Sequence, residues 1–370
     1  MQQLSIWELE SFYAPQDIVI VGAGFTGLWT AICLKEKYPS KKITVVERGV
    51  TAMGASGRNA GFACFGSLTE ILSDIKNLGA EKTAQLLLWR FEGLKTIRQY
   101  FNDITIDYTN SGGFELLTTD EPLSQLSAVN SLLYDITGST ETFVLKNEMI
   151  ASFGFEGVSH LMENKFEGAL HPGKLLSAML KKTVALDIQM MYGTEIKSFE
   201  ENSQGVTLQT AHKQALLAQQ VIFCTNAFTK NLLPDLPIVP TRGQILLTEP
   251  LPDLKWSGVF HFDEGYYYFR NLNNCVLLGG ARNTSIASEY TQDNITTLPI
   301  QQALEDFLYK MVLPGQQPKI THRWAGIMAT GSEKMPIVKQ LSDRTFCGVR
   351  LSGMGLALAP SVAKQLAAMV

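Results

Sequence analysis

The sequence predicts an α/β nucleotide-binding core of Rossmann type, interrupted by an α+β region built on an antiparallel sheet. Three observations carry this reading. A strand, turn, helix and second strand run from Asp17 to Arg48, a strand-rich block spans 236 to 282, and a second turn of small residues opens the last helix after Ser352. The chain has 370 residues, enough for two domains with sizeable cores. A hydrophobic content of 45%, a charged content of 18% and a net charge of -4 describe an ordinary globular protein, and no Lys/Arg run points to nucleic acid.

No apolar run is long enough to span a bilayer. Met1 to Ala14 carry Glu8 and Glu10 and lack both a basic and an apolar region, so no secretory signal is expected there. Trp7, Leu9, Phe12 and Tyr13 are expected to cover part of the surface. The five cysteines, at 33, 64, 224, 275 and 347, are scattered without a C-x-x-C pair. They predict a reducing, cytoplasmic setting and neither a disulfide framework nor a zinc site.

In the opening unit, the apolar run Ile18 to Val21 predicts a buried strand, and Gly22, Gly24 and Gly27 form a G-x-G-x-x-G turn into a helix. Gly22 permits the tight turn, Gly24 lets a pyrophosphate approach the backbone, and Gly27 allows close helix packing. The pyrophosphate would sit on the free N–H groups of the helix N-terminus. Ile43 to Val46 form the second strand, and Glu47, 20 residues after Gly27, is placed to accept ribose hydroxyls. The alternative is a doubly wound sheet that needs only a tight first turn.

Residues 49 to 66 are dense in small side chains, which suits a backbone passing close to a flat cofactor; the alternative is a surface loop, for which Phe62, Cys64 and Phe65 are poor residues. Residues 68 to 101 read as two helices, 103 to 119 as strand around Gly112-Gly113, and 121 to 135 as helix. A helix enters at Pro172, strand follows at 188 to 192, a hairpin turns at Asn202 to Gly205, and Val221 to Cys224 end a buried strand. A helix near 299 to 312, a strand at Thr321 to Met328, strand-like Thr345 to Leu351 and the terminal helix complete the chain.

These residues carry a family resemblance. Gly22 to Gly27, Glu47-Arg48, Gly54-Ala-Ser-Gly-Arg-Asn-Ala-Gly61, His171-Pro-Gly, Cys224-Thr-Asn-Ala, Pro240-Thr-Arg-Gly-Gln, Leu278-Gly-Gly, Trp324-Ala-Gly, Gly353-Met-Gly-Leu and Ala359-Pro360 occur in order from about residue 17 to the end. Together they resemble the D-amino acid oxidase superfamily, and within it the glycine oxidase, sarcosine oxidase and γ-glutamylputrescine oxidase branch. The resemblance implies FAD, an FAD-binding domain at 1–83, 158–230 and 325–370, and a substrate domain interleaved with it at 84–157 and 231–324.

Carried over by position, Gly22, Gly24, Phe25, Thr26 and Gly27 would hold the pyrophosphate, Glu47 the ribose, and Arg48 and the backbone near Ile196 the adenine. Ala55, Ser56, Arg58, Asn59, Ala60, Gly61 and Phe62 would run beside the flavin ring, with Gly326 near it. Thr225 and Asn226 would lie near the pyrophosphate. Gly353, Met354, Gly355 and Leu356 would meet the pyrimidine end, where the helix dipole favours negative charge on reduced flavin.

The implied reaction is oxidation of a carbon–nitrogen bond in an amine or amino acid, with oxygen or another acceptor taking the electrons and no strong general base required. Tyr268, with Tyr266 beside it, is the expected phenol over the flavin, strand alternation placing 266 and 268 on one side and 267 on the other; cross-sheet aromatic packing is the alternative.

Three departures from the family pattern bear on specificity. Met328 stands where many α-amino acid oxidases carry the arginine of Trp-x-Gly-x-Arg, and a thioether cannot replace a bidentate guanidinium. Arg282, Arg270 and Arg323 are the candidate substitutes. Val276-Leu277-Leu278 replace the strand on which the sarcosine oxidase branch has its oxygen-activating lysine, so an oxidase and a dehydrogenase both stand open, as does an FAD protein with a decayed substrate site. No cysteine occurs near Ala325-Gly326, so FAD is expected to be non-covalent. The histidines at 160, 171, 212, 261 and 322 show no metal spacing; His171 reads as structural and His261, beside the tyrosines, as an active-site candidate.

Overall fold

The computed structural model describes residues 3–370. The chain divides into two compact units. One comprises residues up to Gly57 with Gly173–Pro240 and Met328–Val370, the other Arg58–Pro172 with Thr241–Ile327. Residues 58–83, 158–172 and 325–327 thus lie in the second unit, and residues 231–240 in the first.

The first unit is built on a sheet in the order Ile337–Gln340, Thr345–Val349, Ala215–Phe223, Gln16–Val21, Ile43–Val46, Gln189–Met191. All neighbours are parallel except the outermost pair at the Ile337 edge. Strand Gln16–Val21 is central, with Ile43–Val46 on one side and Ala215–Phe223 on the other, so the chain reverses its winding there. Ligands of open α/β sheets bind at the carboxyl ends of strands at such a reversal. Covered on both faces, the central strand is almost wholly buried, which is why it reads as a continuous apolar run rather than an alternating one.

Helix Phe25–Lys37 follows the glycine turn and is buried around most of its girth. The terminal helix Gly355–Met369 lies along it, and Lys37 Nζ donates to the Ala367 carbonyl at 2.6 Å. The hairpin expected near Asn202 is formed by Ile196–Asn202 and Gly205–Thr210, with Asn202 Oδ1 accepting the Gln204 and Gly205 amides.

The second unit is built on a sheet in the order Ile320–Thr330, Val239–Thr248, Cys275–Gly280, Tyr267–Leu272, Val259–Phe262, Gly113–Leu117, His160–Asn164, Phe143–Leu145. It departs from the expected antiparallel pattern at one ladder, where Val259–Phe262 runs parallel to Gly113–Leu117. The expected strand over 103–119 is also shortened, because Asn102 caps a helical turn at Asp103–Ile106 through its side chain.

Strand alternation gives this sheet two unlike faces. Phe114, Phe260 and Phe269 stack on one face, with ring centroids 5.1 and 4.7 Å apart along the series, against helix Leu298–Phe307. The same ladders put Glu115, His261 and Tyr268 at the intervening positions, paired directly across the strands. An aromatic core on one side therefore leaves a polar row on the other.

The glycine turn is held by close backbone approach. A Cβ at Gly27 would stand 1.9 Å from the Gly22 carbonyl oxygen, and one at Gly22, whose φ is +107°, would stand 2.8 Å from the Cys224 carbonyl oxygen. Gly27→Ala should therefore destabilise the protein by about 1–3 kcal/mol through overpacking and weaken FAD binding, read by thermal melting and flavin titration. An unchanged melting temperature with unchanged affinity would contradict this.

Candidate active site

The first unit assembles the dinucleotide features predicted from its opening strand. Gly24 is the N-cap of helix Phe25–Lys37, and a Cβ there would meet only Ser56 Oγ at 3.0 Å, so the approach to the helix N-terminus is otherwise open. Ser56 Oγ accepts the Phe25 amide at 2.9 Å, while the Phe25 ring and Thr26 are buried in the core. Glu47 is set rigidly: its two carboxylate oxygens accept the Ala23 and Gly49 amides, each at 3.0 Å. A carboxylate has about four lone-pair positions, so acceptor capacity for ribose hydroxyls remains.

The Thr194 amide bonds to the Glu47 carbonyl at 2.8 Å, which brings the Glu195-Ile196 backbone to the end of the Glu47 strand. The Arg48 guanidinium lies 3.7 Å over the Phe228 ring, a flat cationic stack beside Glu47. Thr225 and Asn226 follow the Ala215–Phe223 strand; Asn226 adopts φ of +45° and its Oδ1 accepts the Arg350 amide at 3.2 Å. At the terminal helix, Gly353 has φ of +84°, Met354 is the N-cap, and Ser352 Oγ is buried with no partner. A buried unpartnered hydroxyl, an open glycine cap and a fixed carboxylate fit an FAD molecule's oxygen-rich chain.

The second unit organises the small-residue stretch from Arg58. The Arg58 carbonyl accepts Trp324 Nε1 at 2.9 Å, and its Nη1 donates to the Ala325 carbonyl at 3.0 Å. A Cβ at Gly326 would come within 3.1 Å of the Arg58 Cβ, which explains the glycine of Trp324-Ala-Gly. Asn59 Oδ1 accepts the Gly61 amide at 2.9 Å, and Ala60 packs with Ile245 and Leu277. Phe62–Ala63 pairs with Gly168–Ala169, and residues 63 to 66 are buried, which removes the surface-loop alternative for this half of the stretch.

The Arg282 guanidinium lies 4.7 Å over the Tyr266 ring. The regular strand begins at Tyr267, one residue later than expected, and Tyr267 turns to the aromatic core against Phe307. Tyr268 faces the other way, its ring edge-on to Phe62 at 5.6 Å. A Cβ at Gly279 would lie 2.5 Å from the Tyr268 ring, so Leu278-Gly-Gly makes room for this phenol. Burial pushes the Tyr268 phenol up to about 12, against the opposing pull of Arg282.

Two of the three candidate arginines are engaged elsewhere. Arg270 is buried, its Nη1 donating at 2.9 Å to both the Gly61 and the Leu170 carbonyls, and burial pushes its pKa down to about 10. Arg323 pairs with Glu305 at 2.5 Å and with Gln301 at 2.6 Å. Arg282 has no hydrogen-bond partner among the described residues. In the first unit, the Met328 sulfur would lie 3.4 Å from a Cβ on Gly353.

His261 faces a buried cluster that the sequence did not suggest. Its Nε2 lies 3.8 Å from Glu167 Oε2, and the Glu167 Oε1 accepts the Phe65 and Gly66 amides at 2.8 and 3.1 Å. Burial opposes charge on His261, but the negative charge of the nearby Glu167 carboxylate prevails and raises its pKa. Burial also raises Glu115, even though Thr69 and Ser67 bond to its carboxylate. Glu167 and Glu115 are isolated acids in apolar sequence, with no spacing signal to single them out.

Two units, one with a parallel sheet and a glycine-capped dinucleotide turn and the other with a mixed sheet, define the architecture of a two-domain flavoprotein. A family model described as FAD dependent oxidoreductase matches residues 17–369, and the chain belongs to that family. γ-Glutamylputrescine oxidoreductase of Escherichia coli (strain K12) is 26% identical over 356 residues, covering 92% of this chain and 80% of its own. Among solved structures, L-proline dehydrogenase from P. horikoshii superposes with a TM-score of 0.78 at 16% identity, covering 96% of this chain and 93% of its own. Glycine oxidase from Geobacillus kaustophilus gives 0.75 at 19% identity, covering 94% and 92%.

Thiol burial gives a direct check of this arrangement. All five cysteines are free; burial pushes Cys224 up to about 12 and Cys33 and Cys347 to about 11, and holds Cys64 well above the ordinary range. Cys275 is partly exposed and carries the weakest burial. At pH 8 an aromatic disulfide reagent should therefore modify Cys275 first, the partly exposed Cys33 more slowly, and the three buried thiols only on unfolding, as mapped by peptide mass spectrometry.

Proposed function

We propose that the protein oxidises the carbon–nitrogen bond of a small amine or amino acid that carries an anionic group, using non-covalently bound FAD. The observation that carries this reading is the group formed by Tyr266, Tyr268 and Arg282, in which one guanidinium stacks on a phenol ring and keeps its N–H donors for an outside acceptor. A carboxylate is the acceptor that a guanidinium fork matches best. The E. coli relative, whose name gives γ-glutamylputrescine as its substrate, supports an amine donor.

The chemistry that FAD supplies when bound is acceptance of a hydride from the carbon beside the amine, leaving an imine that water hydrolyses. The protein's part is to bind and align. In this reading the turn from Gly22 to Gly27, Glu47, Arg48, Ile196, Thr225 and Asn226 hold the nucleotide portion. Within the first unit, Ala55, Ser56 and the Gly353 to Leu356 turn hold the flavin portion. Arg282 grips the substrate anion. Tyr268 remains a neutral hydrogen-bond donor across the working pH range, because its phenol ionises only near 12.

The test is an anaerobic screen of amines that reads loss of visible flavin absorbance. Carboxylate-bearing amines should bleach the flavin, and Arg282→Met should lower kcat/KM for them about tenfold or more, the loss of one hydrogen-bonded charge pair, with a much smaller change for uncharged amines. Equal losses for both classes would overturn the role of Arg282.

The pH dependence follows from Tyr268. A phenol ionising near 12 supplies no base at neutral pH, so kcat/KM should rise with pH through the substrate amine's own pKa. Tyr268→Phe should lower the rate and leave that limb in place; disappearance of the limb would show that the phenol titrates.

A second reading, a dehydrogenase that passes electrons to another acceptor, is favoured by the buried Leu277 and Leu278 on the strand where the sarcosine oxidase branch has its lysine. Rapid mixing of substrate-reduced enzyme with oxygen separates the two: fast reoxidation supports an oxidase, and sluggish reoxidation supports the dehydrogenase.

A further inference from the structure

We propose that Cys64, Glu167 and His261 form a binding site for a thiophilic divalent cation of the Zn2+ class. The site lies wholly within the second unit, next to the strand that carries Tyr268. Its three donor atoms, the Cys64 sulfur, a Glu167 carboxylate oxygen and a His261 ring nitrogen, all lie within 4.8 Å of one another, and all three residues are buried. One thiolate, one imidazole and one carboxylate form a donor set suited to zinc.

A second observation points to a ligand independently of that clustering. His261 is 7% exposed, and its Nε2 has no hydrogen-bond partner while facing Glu167 Oε2 at 3.8 Å. A buried ring nitrogen without a partner is costly. An imidazole nitrogen and a carboxylate oxygen on a tetrahedral zinc stand roughly 3.3–3.5 Å apart, so a shared ion would bridge the 3.8 Å gap by drawing the two ligands together by a few tenths of an ångström.

The surroundings fix the ligands as an outer shell would. Glu167 Oε1 is occupied by the Phe65 and Gly66 amides, which leaves Oε2 as the free oxygen and sets its direction. A Cβ at Gly113 would stand 2.1 Å from Oε2, so the neighbouring strand must carry glycine for the carboxylate to lie there. His261 is held between Tyr268 and Glu115 on the adjacent strands, with the Phe62 ring edge-on at 5.4 Å. Cation uptake releases the Cys64 proton to solvent as the sulfur–metal bond forms, and a water completes four-coordination. The ion, the thiolate and the Glu167 carboxylate then sum to zero net charge.

The experiment uses the full-length flavoprotein produced in zinc-supplemented medium, which avoids any barrier to entry into a buried site. Elemental analysis after gel filtration should give one zinc per chain, and X-ray absorption should show one sulfur near 2.3 Å with nitrogen and oxygen near 2.0–2.2 Å. Cys64→Ser and His261→Gln should each lose the zinc while retaining bound FAD, which reports that they fold; Cys275→Ser should keep it. Zinc below a tenth of an equivalent in the wild-type protein, or a full equivalent that persists in both Cys64→Ser and His261→Gln, would overturn the proposal. In the first case the cluster holds only a proton shared between His261 and Glu167.

Discussion

The second unit depends on one buried cation. Arg270 projects from the tyrosine strand and donates through one nitrogen to the Gly61 and Leu170 carbonyls, 2.9 Å each. An unpaired guanidinium in this position would be prohibitive, and burial already presses its pKa down to about 10. Removing it would leave the Leu170 carbonyl without its donor, while the Gly61 carbonyl would keep only the Leu170 amide. The pairing fixes the Arg58 to Cys64 backbone against the sheet, and with it Phe62, which touches both His261 and Tyr268.

The first unit rests on the opposite principle, the absence of side chains. Gly22, Gly27 and the Cys224 backbone approach so closely that Cβ atoms would overlap carbonyl oxygens. The helix N-terminus is thereby held at the end of the central strand, where Ser56 accepts the first helix amide, at Phe25, and Glu47 accepts the Ala23 amide of the turn before it. These contacts leave the cap at Gly24 open apart from Ser56 Oγ, so affinity for an anionic cofactor comes from backbone rather than from charged side chains. FAD dependence then follows from membership of the family.

Much of this was legible in the sequence because the signals are local. The glycine turn and Glu47 sit at fixed offsets within one βαβ unit, and alternation placed Tyr267 and Tyr268 on opposite faces, as ring contacts with Phe307 and Phe62 bear out. Arg282 was one of three candidate arginines in the sequence, and its stack on Tyr266 is visible only in the structure. Arg270 and Arg323 could not be told from Arg282 by sequence, because what separates them is the carbonyls and carboxylates that reach them from 100 or more residues away or from another element. The parallel ladder between Val259–Phe262 and Gly113–Leu117 and the unit boundaries were equally invisible, since both depend on pairings between distant segments.

The sequence by itself determined the dinucleotide turn, the order of strands and helices, and the family, since each rests on residues close together or on motifs in a fixed order. Only the tertiary structure decided which arginine keeps free donors, and that Cys64, Glu167 and His261 meet in one buried cluster. The reason is physical: periodicity and spacing act along the chain, whereas burial and charge pairing act through space. Cys64 and His261 are 197 residues apart, and no local pattern links a thiol and an imidazole across that separation.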